Sequence, residues 1–148
     1  MAATAWEFYN KAKKKLGDGT IDLDAGIYKM VLCTSASNAS VRTLGVYSSI
    51  TGNIVAQGGY VSGGRTIAGV TWTSAGNPSS VKWDATDLVF TASGANLSAI
   101  KYAVIRTSAG AASGHLMVWS KLSTAAFSVT SGNTLTIQFA AAGIFTLT

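Results

Sequence analysis

At 148 residues the chain is long enough for one domain, and a domain of this size buries roughly 70% of its unfolded surface without disulfide or metal staples. Charged residues make up only 11% against 48% apolar, a composition of strands whose wet faces carry Ser and Thr, and of weakly charged surfaces that pack against neighbouring subunits. The net charge of +5 comes from 11 cations and 6 carboxylates, and the single His and single Cys exclude an internal disulfide and leave little for acid–base or nucleophilic chemistry.

In chain order, Thr4 and Glu7 have the spacing of a capping box, which predicts a helix starting at Ala5. Ala5, Phe8, Tyr9, Ala12 and Leu16 fall on one face of it, at spacings of three and four. Lys11, Lys13, Lys14 and Lys15 cover the other side and load the last turn, where the helix dipole favours cations. Gly17 is placed to follow the helix end, and Asp18-Gly19 to turn the chain. Residues 1–19 thus read as an N-terminal helix or arm, and residues 20–148 as a β-sandwich domain.

Ile27 to Thr34 (IYKMVLCT) is apolar enough for a central strand, Ser35 to Ser40 is a polar loop, and Val41 to Ile50 has room for a short helical turn. Asn53 to Gln57, Tyr60 to Ser62 and Arg65 to Thr73 read as short strands, with bends or bulges at Gly58-Gly59 and Gly63-Gly64. Asn77-Pro78 marks a turn before a strand at Val81 to Asp84. Strands at Asp87 to Thr91, Ile100 to Thr107, His115 to Lys121 and Phe127 to Val129 follow, with a loop of small residues at Ser108 to Gly114. Thr134, Thr136 and Gln138 then alternate with Leu135, Ile137 and Phe139, Gly143 punctuates, and the alternation resumes over Ile144 to Leu147. This predicts a closing strand pair, with Ile144 and Leu147 buried like the apolar half of the preceding strand. Roughly eight or nine strands result, predicting a mainly β fold: an antiparallel β-sandwich or jelly roll preceded by one α-helix.

The residues able to carry chemistry are isolated from one another. Asp18, Asp22 and Asp24 lack the alternate-position ladder of a Ca²⁺ loop, and Lys29 stands where that loop needs Glu, so they read as turn residues bonding nearby backbone N–H groups. Asp84 and Asp87 flank a turn in the same way. His115 and Ser113 have no third group to orient them, and Cys33 reads as a small buried hydrophobe. No catalytic, cofactor or metal residue is expected. The lysine-rich helix interleaves cations with Trp6, Phe8 and Tyr9, a pattern able to grip a nucleic-acid backbone, but an amphipathic helix with a solvated basic face is the favoured reading. The expected partner-binding set is therefore Trp6, Phe8, Tyr9, Lys11, Lys13, Lys14 and Lys15, on a helix that serves attachment rather than the core. No apolar run approaches the ~18 residues of a membrane span and Met1 to Thr20 lacks a signal-peptide pattern, so no membrane partner is expected and folding in the cytoplasm of the producing cell is.

Four stretches, KLGDGTIDLDAGIYKMVLCTS, GGYVSGGRTIAGVTWT, KYAVIRTSAG and TIQFAAAGIFTLT, together resemble a family of small structural proteins of tailed-bacteriophage virions. In that family an N-terminal helix leads through a D-G-x-I-D-L turn into a K-x-x-L-x-T-S strand, a Gly-rich hairpin with a Tyr follows, and the chain closes on a strand pair. The similarity runs in order over most of the chain. It implies a location in the virion, no enzymatic activity and no cofactor. The expected role is a capsid decoration or cement protein that binds the major capsid protein and copies of itself. Two alternatives stand beside it: a tail or receptor-binding module presenting Trp72, Trp83 or Trp119 to a carbohydrate, and a head protein touching DNA through the Lys11 to Lys15 face.

Overall fold

Runs of β-branched and aromatic residues separated by Ser, Thr and Gly form strands along the chain. The computed structural model describes residues 4–54, 56–74, 79–109 and 113–148. Within them lie β1 (Glu7–Phe8), α1 (Asn10–Gly17), β2 (Tyr28–Thr34), a 3₁₀ turn (Tyr47–Ser49), β3 (Arg65–Thr66), β4 (Thr71–Ser74), β5 (Val81–Asp84) and β6 (Leu88–Thr91). β7 (Leu97–Thr107), β8 (Leu116–Lys121), β9 (Phe127–Val129), β10 (Thr134–Ile137) and β11 (Phe145–Leu147) complete the chain. The fold is mainly β, antiparallel throughout, with one α-helix.

The main sheet runs β1-β8-β7-β2-β3, with β9 also on β7, and two smaller sheets, β10-β6 and β11-β5-β4, complete a sandwich-like arrangement. The apolar run predicted to be a central strand, β2, lies between β7 and β3 with Met30 to Cys33 buried, and Ala103 to Arg106 in β7 and Leu116 to Ser120 in β8 are likewise buried without a break because both faces of these strands are covered. Antiparallel register puts Met30 beside Ile105, and Val31 beside Val104, on opposite faces of the sheet. Aromatic rings join the main sheet to the smaller ones. Tyr28 meets Trp83 of β5 edge-on at 4.8 Å between centroids and Phe8 meets Phe145 of β11 at 4.5 Å, while Tyr60, in the loop before β3 and accepting the Leu32 N–H of β2, lies 5.9 Å from Phe90 of β6. Such pairs add roughly 0.5–1.5 kcal/mol beyond their area burial.

The N-terminal segment departs from expectation. The capping box does not form; the Thr4 N–H donates to the Lys121 carbonyl, and the Thr4 Oγ1 accepts the Lys121 N–H. Glu7 and Phe8 add a strand to β8, opposite Trp119 and Val118. The helix begins only at Asn10, after Tyr9. The local 3.6-residue pattern lost to an available sheet edge, whose hydrogen bonds and core face reward a period of two: Trp6 and Phe8 inward, Glu7 across. Tyr9 and Ala12 are buried in the same core as the strands, so the arm is part of the core and not an appendage to it. At the other helix end, Gly17 is the last helical residue and Gly19, at φ +74°, takes the left-handed position expected of Gly17.

The predicted strands at Val81 to Asp84 and Phe127 to Val129 fall where expected, as does the helical turn within Val41 to Ile50. Asn53 and the Gln57–Tyr60 pair contribute only isolated bridges, and Arg65 to Thr73 splits into β3 and β4 around Gly69. The Asn77-Pro78 turn, Val55 and positions 110–112 of the Ser108 to Gly114 loop lie outside the described residues. The two C-terminal strands form, but they do not pair with each other: β10 joins β6 and β11 joins β5. The tight turn Ala140 to Gly143, with Gly143 at φ +83°, hands the chain from one small sheet to the other. Ile137 and Ile144 are buried as expected, whereas Leu147 is 50% exposed because it stands at the end of an edge strand.

Candidate functional site

The sequence placed an interaction face on the N-terminal segment, and the fold divides that face in two. Tyr9 is fully buried and its hydroxyl donates to the Ala39 carbonyl, so it anchors the segment and has no surface to offer a partner. Trp6 and Phe8 are half-buried against Phe139 and Phe145. With the aromatic side chains facing the core, α1 turns its cations outward. Lys11, Lys13 and Lys14 are exposed and Lys15 is half-buried. Lys14 pairs with Asp18 at 3.0 Å, and Arg42 pairs with Glu7 beside the helix start. The ion pairs among the described residues leave Lys11, Lys13 and Lys15 without a carboxylate. Hydrogen bonds from Thr20 and Lys14 hold the exposed Asp18 carboxyl down at about 2, so it remains an anion at the foot of this basic face.

The remaining chemistry-bearing residues are dispersed. Asp22 Oδ1 accepts the backbone N–H groups of Asp24 and Ala25, and Asp18 Oδ1 accepts that of Thr20, which is the turn role read from the sequence. Among the described residues, no three His, Cys, Asp or Glu side chains come together in the manner of a metal site. Cys33 lies fully buried in β2, where burial pushes its thiol up to about 12 and keeps it protonated. His115 is half-buried, its Nδ1 is enclosed without a hydrogen-bond partner, and burial followed by the nearby Lys15 charge lowers its basicity. Trp83 is fully buried with its indole N–H donating to the Leu23 carbonyl, and Trp119 is 8% exposed, so of the three tryptophans considered for a sugar-stacking groove Trp72, half-buried beside Phe145, is the most accessible.

One cluster escaped the sequence reading. Arg106, on β7, is 2% exposed and forms no salt bridge among the described residues. Its Nε and Nη2 donate to the Gly63 carbonyl at 3.3 and 2.8 Å, its Nη1 donates to the Thr107 carbonyl at 3.0 Å, and its guanidinium lies 4.3 Å from the centre of the Tyr47 ring. Desolvation costs a buried cation heavily, and the fork of three hydrogen bonds with the stacked ring offsets that cost. The clamp fastens the Gly58 to Gly64 segment onto the sheet. A cation in the midst of the apolar run YAVIRT was the signal available, since a central strand excludes an unpaired Arg unless something is built to hold it.

Beside the clamped segment lies a groove of about 370 Å³, lined by Tyr60, Val61, Arg65, Phe90 and Leu97 together with the backbone of Gly59 and Gly64. Comparison with protein-family models, with curated proteins and with solved structures finds no match to this chain.

Proposed function

We propose that the chain is a non-enzymatic structural component of a bacteriophage virion, packing as a decoration or cement protein between major capsid subunits. The observation that carries this reading is the lysine face of α1: exposed Lys11, Lys13 and Lys14 on a helix made rigid by the β1–β8 pairing and the buried Tyr9 anchor. A preorganised cationic face loses little entropy on docking to an acidic protein surface. Many identical copies, each burying modest area at a symmetric position, gain avidity without a single strong site. The resemblance of four ordered segments to phage virion proteins supports the same assignment. The buried, protonated Cys33 and the unoriented His115 suit a chain that binds rather than reacts.

The experiment adds purified protein to capsids stripped of it, and separately to duplex DNA, each at two salt concentrations. Replacing Lys11, Lys13, Lys14 and Lys15 with Gln should weaken capsid binding at least about tenfold. Tight DNA binding with a steep salt slope, and none to capsids, would transfer the assignment to a DNA-contacting head protein. Phe8 and Tyr9 face the core, leaving little aromatic surface there for the base stacking that a single strand would need, and the duplex arm of the experiment tests the phosphate contacts that the lysines alone could make.

A further inference from the structure

We infer that the groove between β3 and β6 receives the C-terminal residue of a partner polypeptide, its aliphatic side chain on the apolar floor and its carboxylate on Arg65. The floor is already packed: Tyr60 and Phe90 are 6% and 4% exposed with Leu97 fully buried behind them, so a guest meets only their edges and rests mainly on Val61. Val61 forms the lip and is 72% exposed, the most exposed large hydrophobic side chain among the described residues. A volume of about 370 Å³ stands at the lower end of the ~300–1,000 Å³ of ligand sites, suited to one residue rather than an extended ligand.

Charge selects the guest. Arg65 is exposed on the groove wall, and the ion pairs among the described residues do not include it. Its Nη1 donates to the carbonyl of Val89 on β6. The guanidinium keeps its other donors, enough for a carboxylate without breaking that bond. Tyr60 and Phe90 show too little ring surface for stacking, and the exposed Val61 side chain is the apolar contact left to a small aliphatic group.

The backbone adds a second reason. Among the described residues β3 pairs with β2 and β6 with β10, so each has a second edge without a strand partner, the Arg65 bond to Val89 taking one carbonyl of β6. An extended chain end can take up backbone hydrogen bonds there while its terminus is captured. Gly59 and Gly64 line the wall with no side chain, which lets a peptide backbone approach closely. The Arg106 clamp, holding Gly63, is what keeps this wall in place. β1 and β3 are the opposite edges of the main sheet, four strand spacings or roughly 19 Å apart. The groove is thus separate from the lysine face, and its occupancy does not depend on the virion assignment.

The test is a titration of the full chain, followed by amide NMR shifts, with acetyl-Val-Thr-Leu bearing a free carboxylate, the same peptide as its C-terminal amide, and octanoate. The acid should shift amides of residues 59–65 and 89–91 and bind at least tenfold more tightly than the amide. Arg65→Gln should abolish that preference, and Val61→Ser, a change at an exposed side chain, should weaken the acid severalfold while leaving the melting temperature unchanged. Equal binding of acid and amide, or shifts elsewhere, overturns the inference. Octanoate binding more tightly than the peptide replaces a chain end with a free aliphatic acid and also overturns it. A dimer that Val61→Ser dissociates, with no peptide binding, would make the groove a contact between copies and would equally sink it.

Discussion

The two edges of the main sheet are finished in opposite ways. At the β1 edge the chain adds its own strand, plugs it with the buried Tyr9 and the half-buried Trp6 and Phe8, and leaves the lysines of α1 outside. At the β3 edge the added strand is likewise two residues long, but the covering segment is glycine-rich and a buried Arg106 fastens it by its backbone. The first edge is held by side-chain packing, the second by close backbone approach and hydrogen bonds. Packing leaves the outward surface free to carry charge, and backbone clamping leaves an open groove. The difference explains why a surface patch is the candidate site on one side and a cavity on the other.

Breaking the anchor of the first edge should have the largest effect. Tyr9→Ala removes a fully buried ring and leaves the Ala39 carbonyl unpaired, at a cost of about 3–5 kcal/mol measured by denaturant unfolding. Hydrogen exchange should quicken first in residues 4–17 and β8. At the second edge, Gly64 stands at φ +89° and a Cβ there would overlap the Met30 carbonyl, so Gly64→Ala should cost about 2–4 kcal/mol and quicken exchange in residues 58–69 while sparing α1. If both variants loosened the same residues, the two edges would form one cooperative unit and the comparison would fail.

A smaller effect comes from pH. Burial, then the nearby Lys15, lowers His115 below its ordinary value of 6.5 in the fold. Between those two values the unfolded chain binds the proton and the folded chain does not, so stability is complete above about 6.5 and declines as pH falls below it. Thermal melts from pH 8 to 5 should show the decline, and His115→Gln should flatten it. A slope that the substitution leaves unchanged would place the titrating group elsewhere. The smallest change in stability belongs to the lysine face: with Lys11, Lys13, Lys14 and Lys15 all changed to Gln, unfolding should move by less than ~1 kcal/mol, because the one ion pair lost is exposed. A large loss would mean that the lysines support the fold rather than a partner.

The sequence by itself determined the class of the fold and most of its strands. Alternation at Thr134 to Phe139 and the unbroken apolar runs of β2, β7 and β8 report burial on one face or on two, and burial is a property that side-chain periodicity encodes directly. It also determined that the lysines of the short helix lie off the arc shared by Ala12 and Leu16, since 3.6 residues per turn sets those two together and spreads positions 11, 13, 14 and 15 around the rest. The tertiary structure alone decided the rest. Thr4 to Phe8 satisfies a helical pattern and an extended one equally well, and only the open edge of β8 chose between them. The last two strands were legible as strands, yet which strands they joined rested on a turn at Gly143 whose direction no local pattern contains. Arg106 shows the limit most plainly: its charge was visible in the sequence, but the carbonyl of Gly63 and the ring of Tyr47 that make its burial tolerable come from distant segments, and only folding brings them to it.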